Sequence, residues 1–290
     1  MQEEHMAQGL PEAMTTYLDR DAEAVYGKPL PPALVAAYGG GLRFPSAPPE
    51  RPYTFANFVE GMDGIVSFQP PGPASGGPVS GLNPQDQLLM AILRAEADAV
   101  VVGAGTLRAE PGHRWTPEHI FPAASARWAE LRRDLGKRPG LINAFVTNSG
   151  DIDLDAVVFS EPTIRAIVFT TPAGAERIHT MRATHPTARL EVFVAGGDRV
   201  ELPATLRHLR AELGVEHLLV EGGPQLMGDF VAGDLMDEIF LTDAPQVIGT
   251  DGKRPTWAKG HAFTPEDAKW YSLVSLKGWG DYLFRRYRRT

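Results

Sequence analysis

The chain has 290 residues, 43% hydrophobic and 22% charged, which suits one large globular domain or a domain with an extension. A net charge of −8 argues against nucleic acid as a bulk electrostatic partner, and the absence of cysteine excludes disulfides, zinc–thiolate sites and thiol nucleophiles. No apolar run approaches the roughly 18 residues of a membrane span, and Glu3 and Glu4 stand where a leader would be basic, so a cytoplasmic protein without a membrane partner is expected.

Residues 1–50 read as a partly irregular N-terminal extension, with a short amphipathic helix over 11–25 and then clustered prolines and the Gly39-Gly40-Gly41 run. The main domain, 51–290, opens on a strand at 53–59, followed by the turn signal Met62-Asp63-Gly64. A Pro/Gly-rich loop over 69–81 leads to Asn83-Pro84, which caps a helix with Leu88, Leu89, Ile92 and Leu93 at helical spacing. Residues 99–103 form a buried-type strand ending in Gly103-Ala104-Gly105-Thr106. A helix is predicted over 125–135. Strands are predicted at 142–146, 164–169, 190–194, 217–220 and 238–242, with helices over 172–181 and 202–213. Residues 279–287 read as a closing strand with a basic tail.

Strands alternating with helices predict an α/β fold with a mostly parallel central sheet and helices on both faces. Polar or glycine-rich turns follow several strands, at Thr106, Ser149, Thr170, Gly196 and Gly222. At the carboxyl ends of parallel strands they could share one cleft. The stretch Leu218-Leu219-Val220-Glu221-Gly222-Gly223-Pro224-Gln225-Leu226 is a strand, a tight turn and a helix start. Free N–H groups and the helix dipole at such a start suit a phosphate; an ordinary β–α turn is the alternative.

Residues 93–108, beginning Leu93-Arg94-Ala95-Glu96-Ala97-Asp98 and ending Gly103-Ala104-Gly105-Thr106-Leu107-Arg108, resemble a signature of pyrimidine reductase domains. Residues 218–226 resemble that family's glutamate–glycine–glycine signature, and 57–64 its first strand and Asp-Gly turn. Leu235-Met236-Asp237-Glu238-Ile239 and Ala244-Pro245-Gln246-Val247-Ile248-Gly249 resemble two later stretches, all in the family's order over about 51–287. The family is the C-terminal reductase domain of bacterial riboflavin-biosynthesis deaminase/reductases. The resemblance implies a three-layer dihydrofolate-reductase-like fold, NADPH as cofactor, a homodimer, and reduction of a 5-amino-6-(5-phosphoribosylamino)uracil-type substrate to its ribityl product. The fused zinc deaminase needs cysteine ligands, so a stand-alone reductase with no metal site is expected.

The resemblance also implies roles. Thr106 and Glu110 would contact the dinucleotide, with Val59 and Gly103 beside them, and Gly222, Gly223, Pro224, Gln225, Leu226 and Met227 would wrap its pyrophosphate. The alternative for Thr106 is a helix N-cap. Ser149 falls at a cofactor-contacting serine, though Asn148 replaces the usual aspartate, and turn capping is its alternative. Arg94 matches a substrate-contacting arginine, the alternative being a salt bridge with Glu96 or Asp98. Glu221 matches the substrate-contacting carboxylate, and Asp63 lies in the turn motif. Ile65 replaces the family's basic residue after Asp-Gly. The segment that helps hold the substrate phosphate becomes residues 109–116, where Arg114 is the surviving basic residue, next to His113.

The ring-opened ribose, as an imine or an aldehyde, is expected to accept hydride at C1′ from the nicotinamide. A proton must also arrive, and Asp63 and Glu221 are the acids to test, with bound water as the alternative. Two other functions stay open on the sequence: reduction of dihydrofolate or another heterocycle, and dinucleotide binding without catalysis. The nicotinamide dinucleotide is NADPH if a basic side chain such as Arg108 or Arg165 meets the ribose 2′-phosphate.

Overall fold

A computed structural model of the protein describes residues 9–69 and 75–290. In chain order the first half contains β1 (Thr15–Asp19), α1 (Pro32–Tyr38), β2 (Tyr53–Gly61), α2 (Pro84–Glu96), β3 (Ala99–Gly103), α3 (Ala104–Ala109), α4 (Ser125–Asp134) and β4 (Ile142–Thr147). Then come β5 (Arg165–Thr170), α5 (Pro172–Arg182), β6 (Glu191–Val194), α6 (Leu202–Ala211), β7 (His217–Val220), α7 (Pro224–Ala232), β8 (Glu238–Ala244), β9 (Tyr271–Trp279) and β10 (Tyr282–Arg289). Single helical turns occur at Gly77–Ser80 and Pro117–Ile120.

All ten strands join one sheet in the order β1-β9-β10-β8-β2-β7-β3-β4-β5-β6. The seven strands from β8 to β6 are parallel, while β10, β9 and β1 add an antiparallel edge. Period-two alternation sorts the parallel strands onto two faces. Phe55, Val100, Val102, Phe145, Val168 and Leu219 face one core, shared with α1, α2, α4 and α5. Ala56, Val101, Ala144, Ile167, Phe169 and Val220 face the other, with α6 and α7. This is the three-layer α/β arrangement expected from the strand–helix alternation.

Local chemistry sets the helix starts that matter for the site. Asn83 Oδ1 accepts the N–H groups of Gln85 and Asp86 at 2.9 and 3.0 Å, and Pro84 occupies the first helical position. Leu88, Leu89, Ile92 and Leu93 then pack α2 against the sheet. Thr171 caps α5 in the same way, with Pro172 behind it.

Two predicted elements differ. Residues 11–25 contain β1 and no described helix, because Thr15, Thr16 and Tyr17 are strand formers and β9 offers them an open edge. The predicted closing strand over 279–287 is present as β10 from Tyr282, but a turn at Gly280 and Asp281 joins it to an unpredicted β9, and its arginines are not a loose basic tail. The fully buried Glu238 accepts Arg286 Nε at 2.6 Å, Arg288 Nε at 2.7 Å and the Tyr53 hydroxyl at 2.9 Å. Asp21 reaches the same two arginines and so ties the N-terminal stretch to the hairpin. Of the predicted surface loop over 69–81, residues 70–74 lie outside the described residues. Among the described residues no helix is long and apolar enough to cross a membrane, and no group of three or more His, Asp or Glu is placed to hold a metal ion.

Candidate active site

A cleft of about 630 Å³ opens at the carboxyl ends of β2, β7 and β3. This is the rim where an open parallel sheet presents its loops. Val59 and Asn57 of β2 form one wall, Asp86 and Arg94 of α2 another, and Gly103, Thr106 and Glu110 a third. Glu221 and Gly223–Leu226 form the floor beside Lys259, and residues of 66–69 and 75–82 border the opposite side. The turns after β4, β5 and β6 do not line it. Asn148 Oδ1 accepts from Val200 N at 2.8 Å and Thr171 Oγ1 donates to Asn148 O at 2.7 Å, so those turns brace one another.

The two glycines after β7 do different work. A Cβ on Gly222 would lie 2.2 Å from Val102 Cα, so this glycine lets β7 leave the sheet hard against β3. Gly223 is the N-cap of α7 with φ +64°, and a Cβ there would point at the Thr106 hydroxyl, 3.4 Å away. Gly223 therefore opens the helix toward the cleft, while Gly222 is buried in packing. Pro224 has no N–H, and Met227 N already donates to Gly223 O at 3.1 Å. The N–H groups of Gln225 and Leu226 are the first-turn donors left without an intrahelical acceptor. Positions Gly103 and Gly105 face open space. The Thr106 hydroxyl is no N-cap: it sits inside α3, three residues past Gly103.

The centre of the cleft is an ion pair. Arg94 Nε and Nη2 donate to the two oxygens of Glu221 at 2.9 and 2.6 Å, with both side chains almost wholly buried. Such a fork-to-fork pair is the strong, oriented form of a salt bridge. Glu96 and Asp98 are not partners of Arg94. Its Nη1 donates to Thr116 O at 3.1 Å, and Nη2 also meets His113 Nε2 at 3.1 Å. A guanidinium can only donate, so Nε2 accepts and the imidazole proton stays on Nδ1. That nitrogen lies 3.8 Å from Glu110 Oε2. Burial first, then the charges of Arg94 and His119, push the His113 pKa down to about 2, so the ring is neutral at any working pH. Burial raises the Glu110 carboxyl, and the Arg94 charge opposes that rise.

Four of the sequence-selected residues lie elsewhere, besides Gly222. Asp63 is exposed, its Oδ2 accepting Ile248 N at 3.2 Å and Gly249 N at 2.6 Å, so it staples the loop after β8. Arg114 pairs with Glu161 at 3.1 Å, and His113 takes the inward place beside it. Ser149 Oγ accepts Asp151 N at 3.3 Å in the turn after β4, and Met227 is in the hydrophobic core. Of the two basic residues considered for the 2′-phosphate, Arg165 starts β5 on the opposite rim, paired with Glu191 at 2.6 Å. Arg108, near the end of α3, shares Asp151 with Arg177. Sequence reading passed over Asn57, Asp86, His113 and Lys259. Asp86 had a signal, the third position of a helix capped by Asn83-Pro84, whereas Lys259 lies in irregular chain that no pattern marks.

Comparison with known proteins gives a consistent result. The family model of the RibD C-terminal domain matches residues 52–273. A 2,5-diamino-6-ribosylamino-4(3H)-pyrimidinone 5′-phosphate reductase from Archaeoglobus fulgidus is 30% identical over 213 residues, covering 73% of this chain and 89% of the relative. One of the same name from Aquifex aeolicus is 26% identical over 215 residues, covering 74% and 85%. Among solved structures, a pyrimidine reductase-like protein from Corynebacterium diphtheriae superposes with a TM-score of 0.64 at 22% identity, over 82% of this chain and 92% of that one.

Proposed function

The chain belongs to the RibD C-terminal domain family, and from that premise we propose that it is an NADPH-dependent reductase of an aminopyrimidine ribosyl phosphate, working as a cytoplasmic homodimer in riboflavin biosynthesis. The observation that carries the reading is the meeting, in one cleft, of a free-ended helix start at Gly223 and the buried Arg94–Glu221 pair. The first suits a pyrophosphate and the second suits a polar ring or sugar.

The residues fit a dinucleotide. Gln225, Leu226, Thr106 and Lys259 line the cleft together with Gly103 and Gly105, which leave room for backbone to approach a ligand, and the N–H groups of Gln225 and Leu226 are the donors a pyrophosphate would use. Val59 and Glu110 lie on the adjoining walls. Arg108, two residues beyond Thr106, and Arg177 share Asp151 and would receive a 2′-phosphate in its place, which favours NADPH over NADH. A reduced nicotinamide, when bound, supplies a hydride. Arg94 fixes the Glu221 carboxylate so that a backside lone pair remains for a ribose hydroxyl or ring N–H of the substrate. His113 and Thr116 O brace Arg94 from the other side. The wall of α2 and the flanking residues 66–69 and 75–82 shield the reacting carbon from water. In the substrate, C1′ of the opened ribose is the electrophile.

The test is NADPH oxidation followed at 340 nm with three substrates: the diaminopyrimidinone ribosyl phosphate named for the relatives, its 5-aminouracil counterpart, and dihydrofolate. Turnover of either ribosyl phosphate with little or none of dihydrofolate is expected. Preference for dihydrofolate, or no binding of NADPH at micromolar concentration, would contradict the reading.

A further inference from the structure

Resting on the reductase reading above, we propose that Asp86 is the proton donor of the cleft, a catalytic carboxylic acid that touches the bound substrate and hands its proton to the nitrogen of the opened, imine form as C1′ is reduced. The step balances. C1′ gains a hydride and its electron pair from the reduced nicotinamide, the C=N π pair moves onto nitrogen, and nitrogen takes the Asp86 proton. The imine becomes an amine, the nicotinamide is oxidised, and Asp86 is left as a carboxylate that solvent reprotonates before the next turnover.

Three observations support this. First, Asp86 is 2% exposed, yet its side chain is part of the cleft wall. It is held there by the Asn83 cap on its own N–H, which fixes the first turn of α2. Second, its Oδ1 has no hydrogen-bond partner among the described residues, and no lysine or arginine there forms an ion pair with it. A buried carboxyl without a cationic partner favours its neutral form. On the β2 wall of the same cleft, Asn57 Oδ1 is also buried without a partner among the described residues. One orphan acceptor and one acid facing a ligand cavity suit a heterocycle that offers both a donor and an acceptor. Third, the cleft holds a second carboxylate in the opposite condition. Glu221 has both oxygens occupied by Arg94, which sits eight residues, about 12 Å, further along α2. One carboxylate is held by a guanidinium, while the other has no cationic partner and is left to serve as the acid.

The charged groups around Asp86 agree with that division. Burial raises its carboxyl to about 6 and the negative charge of Glu221 adds to the rise, while the Thr242 and Ser80 hydroxyls oppose it. Arg94, Glu110, His113 and Lys259 are the other titratable groups on the cleft walls. Arg94 is neutralised by Glu221 and His113 is uncharged. Glu110 is the nearest competitor for the role, but it lies beside His113 and on the dinucleotide side with Thr106.

The experiment is the pH profile of kcat/KM for the aminopyrimidine ribosyl phosphate at saturating NADPH, in wild type, Asp86→Asn, Asp86→Glu and Glu110→Gln. Since the acid form is required, wild-type kcat/KM falls tenfold per unit as pH rises past the acid's pKa. Asp86→Asn is expected to lose about 10²–10³-fold in kcat at pH 6 and to flatten that limb, with NADPH affinity within about twofold of wild type. Asp86→Glu should keep a displaced limb. Asparagine copies the neutral acid, so the variant should melt no lower than wild type at pH 8, separating a catalytic from a folding defect. An Asp86→Asn enzyme with near-wild-type kcat and an unchanged limb overturns the proposal, as does a limb that vanishes in Glu110→Gln and survives in Asp86→Asn. A wild type that turns over neither ribosyl phosphate overturns the reductase reading and this step together, which distinguishes the two failures.

Discussion

Replacing Arg94 by alanine takes out the group on which the substrate half of the cleft depends. The substitution removes a bidentate pair with Glu221 at 2.9 and 2.6 Å, a bond to Thr116 O and the brace on His113. Breaking a buried pair from one side costs about 3–5 kcal/mol, because the surviving charge stays desolvated. At about 2–4 °C per kcal/mol for a domain of this size, the melting temperature should fall by roughly 6–20 °C. The protein should therefore be assayed at low temperature. For the reaction, losing a buried charge partner corresponds to about 2–5 kcal/mol, or roughly 30- to 4,000-fold in kcat/KM for the ribosyl phosphate. The dinucleotide is held by Gly223–Leu226, Thr106 and Lys259 in this account, none of which Arg94 touches. NADPH affinity, read from the quenching of protein fluorescence, should stay within about threefold. Arg94→Lys should recover part of the stability and little of the activity, since an ammonium cannot reproduce the fork. Equal losses of NADPH and substrate would refute the division of the cleft into two halves.

Gly222→Ala and Gly223→Ala should separate packing from binding. The first forces a Cβ into Val102 backbone at 2.2 Å and should destabilise the fold sharply, while the second strains a φ of +64° by about 1–3 kcal/mol and should raise the NADPH dissociation constant more than it lowers the melting temperature. Glu238→Ala leaves the buried Arg286 short of its main partner and should cost about 3–5 kcal/mol in urea unfolding, without changing NADPH affinity in the folded fraction. Burial raises the Glu96 carboxyl from 4.5 to about 8, so the folded state binds a proton that the unfolded state has released. That stabilisation is complete below about pH 4.5 and is lost as pH rises through about 8. Glu96→Gln should then raise the melting temperature at pH 8.5, by several degrees for roughly 2–4 kcal/mol, and change it little at pH 5; the reverse order would contradict the burial argument.

Much of this organisation was legible in the residues. The parallel core strands announced themselves as short runs such as Val100-Val101-Val102, and α2 as a helical repeat behind Asn83-Pro84. Their signals are local, and local signals survive without tertiary information. The antiparallel edge was harder. β1 is five residues long with three of them exposed, and its pairing with β9 spans most of the chain, so neither length nor burial marked it. Gly222 and Gly223 looked alike in sequence, and only the approach of Val102 told a packing glycine from one facing the cleft. Asp63 read as a candidate acid because Asp-Gly turns and catalytic aspartates share one spelling; its partners are backbone N–H groups 185 residues away. His113 and Arg114 could not be ranked until their partners were known: His113 meets Arg94 in the cleft, and Arg114 turns to Glu161. Asp86 carried only the signal of a capped helix start: an acidic residue in the first turn of a helix is ordinary, and its lack of a cationic partner appears only once the wall around it is built.

The account's central claim is that the cleft carries a hydride from a nicotinamide to the sugar carbon of a pyrimidine ribosyl phosphate. The most direct measurement is mass and NMR analysis of the product formed with NADPH deuterated at C4 of the nicotinamide. The account predicts a ribityl product with one deuterium, located at C1′, from one of the two stereospecifically labelled cofactors and none from the other. Turnover that leaves the label in the cofactor or delivers it to the heterocyclic ring would contradict it.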